Sequence, residues 1–147
     1  MTIWIAYLVG CITCCWTAYT DYKSRIIPNI AVLINIIAAI LIFRIDLIKN
    51  GHLWLALSLF AVMFIMWLFK LIGAGDVKLL FSLTLLLGYN AYIAIFFTLL
   101  LFMITGYVKA KRTADNYFKL QMPLAPFLIP GMVLSIIIKI LIFKNIV

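Results

Sequence analysis

Six apolar stretches separated by short polar connections take up most of this chain: Ile3–Thr20, Pro28–Phe43, Leu53–Ile72, Val77–Gly88, Ala91–Val108 and Pro123–Phe143. A helix that crosses a bilayer needs about 20 predominantly apolar residues. Hydrophobic residues amount to 68% and charged ones to 11%, where soluble domains have roughly 45–50% and about 25%. The expected fold class is therefore all-α: a polytopic membrane helix bundle of about six transmembrane helices, in one domain over residues 1–147. Val77–Gly88 is too short to span alone at about 1.5 Å per residue, so the segment before it is expected to dip below the headgroups with Asp76. Gly88-Tyr89-Asn90 reads as a hinge between two helices or a kink in one long helix. The first stretch has no basic lead-in and no small-residue cleavage site, so it is expected to be a retained span rather than a signal.

The formal net charge of +8 invites a nucleic-acid reading. The distribution argues against it, because the cations sit in short patches at the ends of apolar stretches, as topology determinants do. One side carries Lys23, Arg25, Lys70, Lys78, Lys109, Lys111, Arg112 and Lys119, eight in all; the other carries Arg44, Lys49 and Lys144, with Lys139 able to snorkel. The richer side is expected to be cytoplasmic, which puts both termini outside the cytoplasm and the chain in the cell (cytoplasmic or inner) membrane.

The chain has only four acidic residues, all aspartate. Asp21 and Asp76 each stand beside an apolar stretch, and both fall on the cytoplasmic side. A carboxylate at such a place is costly and is a functional hypothesis by default. Two together suggest a pair that shares one proton and activates water. Asp21 follows the first stretch, at a negative helix end, and Asp76 precedes the fourth, at a positive one. Helix dipoles alone then make Asp76 the more acidic partner and Asp21 the resting proton carrier. Asp46 and Asp115 read as solvated loop residues.

The neighbours of the pair have physical roles. Gly73 and Gly75 remove side chains where a substrate backbone must approach Asp76, and they tolerate unusual dihedrals. Pro28 ends the first helix and opens the second, and Asn29 can hydrogen-bond in that turn. Lys23, Arg25 and Lys78 mark the interface. Pro123 and Pro126 are either a helix start with a first-turn kink or a support for the floor of the site, with Phe127 packed beneath. Cys11, Cys14 and Cys15 lie inside the first stretch, far from the one histidine, His52, and read as packing residues; neither a metal nor an organic cofactor is expected. Taken singly, an Asp before a helix is commonly a cap and an Asp-x-x-x-Arg a surface pair. The coincidence of both on one side outweighs that.

Asp21-Tyr22-Lys23-Ser24-Arg25-Ile26-Ile27-Pro28-Asn29 resembles the first aspartate motif of the prepilin and preflagellin peptidases, the type IV leader peptidases among the GxGD intramembrane aspartyl proteases. Gly73-Ala74-Gly75-Asp76-Val77-Lys78 resembles their second motif, and Pro123-Leu124-Ala125-Pro126-Phe127-Leu128 a third signature near the last span. The resemblance implies that Asp21 and Asp76 are the catalytic pair of an aspartic-type endopeptidase. Its substrate would be the basic N-terminal leader of a type IV pilin-like precursor, cut at the cytoplasmic membrane face after a small residue, usually glycine. Larger members also methylate the new N-terminus and carry a cytoplasmic domain with two Cys-x-x-Cys pairs. Here only Asp21–Asn29 separates the first two spans, so the chain resembles the minimal forms serving tight-adherence (Flp) pili or archaeal-type filaments, and no methyltransferase activity is expected. A basic leader meeting a basic rim is unfavourable, so recognition is expected to rest on hydrophobic contact with the substrate helix or on Asp115.

Two other classes compete. A proton-coupled transporter also uses paired membrane aspartates, but would place them near midspan with broken helices or repeats. A non-catalytic assembly subunit would use the aspartates only to pair with Arg25 or Lys78.

Overall fold

The computed structural model describes residues 2–44, 46–70, 72–113 and 123–144. Its described residues form helices without a strand: α1 Thr2–Ser24, α2 Asn29–Phe43, α3 Asp46–Lys49, α4 His52–Leu68, α5 Ala74–Leu87, α6 Tyr89–Thr113 and α7 Ala125–Lys144. The six apolar stretches correspond to α1, α2, α4, α5, α6 and α7, and the one-turn helix α3 occupies the connection that holds Asp46. Asp115 and Lys119 lie outside the described residues.

Helix ends depart from the apolar stretches where polar residues continue a helix. α1 runs through Asp21 to Ser24, so Asp21 belongs to its last turn instead of following it. α5 opens at Ala74, so Asp76 is inside its first turn. α5 and α6 are separate helices joined at Gly88, whose φ of 57° is a value that glycine adopts without strain. A Cβ at Gly88 would run into the ring of His52. That ring packs at a tilt against Phe43 with centroids 4.6 Å apart, and its Nδ1 lies 3.3 Å from the Leu85 carbonyl oxygen. His52 thus packs the end of the bundle opposite to Asp76.

α5 is the central helix. Nine of its fourteen residues are buried, against three of seventeen on α4. Leu79, Leu80, Leu83, Leu86 and Leu87 are all closed off from solvent, as expected for a helix that is apolar on every side. α4 and α2 cover it most closely, and α1 and α6 complete the ring. One polar thread ties three helices through this core: the Thr13 hydroxyl donates to Asn35 Oδ1 at 2.8 Å, and Asn35 Nδ2 donates to Ser82 at 3.2 Å. α7 packs between α1 and α6. Its Gly131 meets Ala94 and Thr98 of α6 so closely that no side chain fits, the small-residue contact usual where apolar helices cross without a hydrophobic driving force.

Two helical segments are long and apolar enough to cross a membrane, Thr2–Ser24 and Tyr89–Lys109, and Asn29–Phe43, His52–Leu68 and Ala125–Leu141 are shorter apolar helices. The outward stripe of α1 consists of Trp4, Leu8, Ile12, Trp16 and Tyr19, all exposed.

Candidate active site

Asp21 faces inward because it shares a helical face with Thr17 and Thr13, one and two turns earlier, and all three are buried. Tyr22, Lys23 and Ser24 are exposed around it. The helix closes at Arg25, which adopts a left-handed φ of 54° and donates its backbone N–H to the Asp21 carbonyl at 2.9 Å. Pro28, with φ −68° and ψ 128°, then stands at the N-cap of α2, and Asn29 is that helix's first, exposed residue. The turn between them brings Ile27 inward.

Ile27 meets Gly75. A Cβ at Gly75 would lie 3.2 Å from Ile27 Cβ, so the start of α5 sits directly on the α1–α2 connection. Gly73 is the N-cap of α5 at φ −72° and ψ 145°. The Asp76 carboxyl turns back toward it, and a Cβ at Gly73 would lie 3.1 Å from Asp76 Oδ2. An acidic third residue reaching back to the N-cap backbone is half of a capping box. Both glycines have negative φ. Neither uses an unusual dihedral, and Gly75 gives room to Ile27. Lys78 is exposed, and its number places it on another face of α5 from Asp76.

The third element is the tip of α7. The Ala125 backbone N–H donates to Asp21 Oδ2 at 3.1 Å. Leu124 and Ala125 are buried, Pro126 is the second helical residue, and Pro123 precedes the turn half-buried. Phe127 packs edge-on against Phe102 of α6, centroids 5.7 Å apart. The two prolines flank the start of α7, and the contact with Asp21 comes from Ala125 between them.

The two carboxyls feel one another. Burial pushes the Asp76 carboxyl up, the neighbouring Asp21 pushes it further, and a backbone hydrogen bond with Gly73 pulls it back, leaving it at about 6. Asp76 thus gives up its proton less readily than an ordinary carboxyl, although it stands at the positive end of α5. Desolvation and like charge outweigh the positive end of α5. The tip of α7, meanwhile, offsets the negative end of α1 at Asp21. Asp46 is exposed in α3, at the other end of the bundle. Sequence reading missed Ala125 and Ile27. The first had a signal, a short residue between two prolines at a helix start; the second had none.

Two carboxyls at one end of a bundle, one raised by burial and by its neighbour and the other accepting a backbone N–H, are equipped to move protons to and from water. A family model described as the type IV leader peptidase family matches residues 8–109, a range that contains both aspartates and stops before α7. No curated protein and no solved structure matches the chain.

Proposed function

The chain belongs to the type IV leader peptidase family, and from that premise we propose that it is a membrane aspartyl endopeptidase acting on the basic leaders of type IV pilin-like precursors. Asp21 and Asp76 are its catalytic pair. The observation that carries this reading is the shared environment of the two carboxyls, in which the charge of Asp21 raises Asp76. Asp21, as the carboxylate, takes a proton from water as it attacks the scissile carbonyl. In the active form Asp76 is protonated; it gives that proton to the carbonyl oxygen as the tetrahedral intermediate forms, and a proton then reaches the leaving amine.

The bundle is read as multi-pass, with the site at the cytoplasmic face. The exposed apolar stripe of α1 supports lipid contact, and the cations Lys23, Arg25, Lys70, Lys78, Lys109 and Lys111 lie at the end of the chain's helices that bears the aspartates. The precursor's own hydrophobic helix would dock in the bilayer beside the bundle, with its leader reaching Asp21 and Asp76 from the cytoplasm.

Cleavage of a pilin-like precursor by the purified chain in detergent tests this. Asp21→Asn and Asp76→Asn are each expected to stay folded and lose at least about a hundredfold in rate, the usual worth of a positioned acid or base. A variant that cleaves like wild type would return the bundle to the transporter or assembly-subunit class.

A further inference from the structure

The Ala125 amide is the polar group at this end of the bundle to which proton transfer assigns no task. Ala125 is the first residue of α7, and the first N–H groups of a helix find no carbonyl within it. The local sequence thins them out. Pro126 has no N–H, and the Phe127 N–H meets the Leu124 carbonyl at 3.0 Å. The Ala125 N–H instead reaches Asp21 Oδ2 at 3.1 Å, across 104 positions of sequence. Asp21 is only 7% exposed and Ala125 is fully buried, so water does not compete for this bond. The bond fixes where the Asp21 carboxyl points, with Oδ2 held against the tip of α7.

The charged groups around Asp21 come from each element packed on it. α1 and its end supply Lys23 and Arg25, both exposed; α5 supplies Asp76 and the exposed Lys78. α2 carries no charged residue between Asn29 and Phe43, and on α7 Lys139 stands over the Tyr7 ring, 5.6 Å from its centroid.

We infer that Ala125 is a positioning residue: its backbone amide, presented by the tip of α7, holds Asp21 as the water-activating carboxylate of the pair. This rests on the carboxylate-pair reading above. It gives the last helix a part in catalysis, though the family match ends at residue 109.

Proline suits the first position of a helix, so Ala125→Pro removes the N–H while keeping a compatible φ. With a pilin-like precursor as substrate, A125P is expected to lower kcat about ten- to a hundredfold, the loss of one hydrogen bond to a charged group. KM is expected to stay within about twofold, because the amide touches Asp21 and not the precursor. Ala125→Gly keeps the amide and should lose far less of kcat than A125P. An A125P enzyme that keeps the wild-type kcat, or an Ala125→Gly enzyme that loses as much as A125P, overturns the assignment. Hydrogen–deuterium exchange needs neither activity nor a folded proline variant. The Ala125 amide of the full chain is expected to exchange at least about tenfold faster in Asp21→Ala than in wild type, and equal rates in the two also overturn the assignment. If instead Asp21→Asn and Asp76→Asn both cleave normally, the pair reading fails while the exchange result still reports the contact.

Discussion

At Asp76 burial and a neighbouring negative charge act against a backbone hydrogen bond at the N-cap, and the first two prevail. The folded-state value of about 6 stands above the ordinary 3.8. A group raised in this way contributes stability that is fully present below about pH 4 and is lost as pH rises through about 6. At pH 7 the folded chain therefore holds an unfavourable carboxylate that Asp76→Asn removes. Thermal unfolding in detergent should find the variant more stable at pH 7 by on the order of 2 kcal/mol, since each pH unit between the two values is worth about 1.4 kcal/mol and solvent screens part of it. The advantage should shrink to nothing near pH 4, and an advantage independent of pH would refute the raised value. Such a gain alongside lost activity is the trade expected of a site that stores an unfavourable charge for use.

Among the elements, the start of α5 packs directly on the α1–α2 connection because Gly75 admits Ile27. Gly75→Leu would force them apart, an overpacking that typically costs about 1–3 kcal/mol. Cleavage is expected to fall at least about tenfold, and Ile27→Ala placed in the same chain should recover part of it. Rates for the two single variants and the double variant check this, since residues in contact depart from additivity and independent ones do not. This junction also marks what sequence could and could not disclose. The six long helices were legible because each is a run of apolar residues bounded by glycine, proline or charge. The end of α1 was not, because Asp21-Tyr22-Lys23-Ser24 looks like a loop; its carboxylate stays helical and buried because α7 supplies a donor. The aspartates stood out by their scarcity and shared side. The upward push on Asp76 did not, because the positive end of α5 is visible in the sequence whereas burial, a tertiary property, is not. Ile27 had no sequence signal as the partner of Gly75, since an isoleucine beside a proline says nothing of what it will touch.

Across the whole molecule, one short helix is enclosed by longer ones. α5, about 21 Å long at about 1.5 Å per residue, could not serve as a lipid-facing span, and its burial within the ring of α1, α2, α4 and α6 removes that need. At one end Asp76 feels the charge of Asp21 and the tip of α7 meets Asp21, while Gly88 and His52 close the other. On the proposed reading the bundle holds two carboxyls at the cytoplasmic rim, where a leader arrives from the water and its helix waits in the lipid. That reading holds only if Asp21 and Asp76 work as one proton-sharing unit. The most direct measurement is the cleavage rate of a single pilin-like precursor by wild type, Asp21→Asn, Asp76→Asn and the chain carrying both changes. A shared unit predicts that the double variant is no slower than the worse single one, because either change already disables the pair. Losses that multiply in the double variant, or a single variant that keeps the wild-type rate, would contradict it.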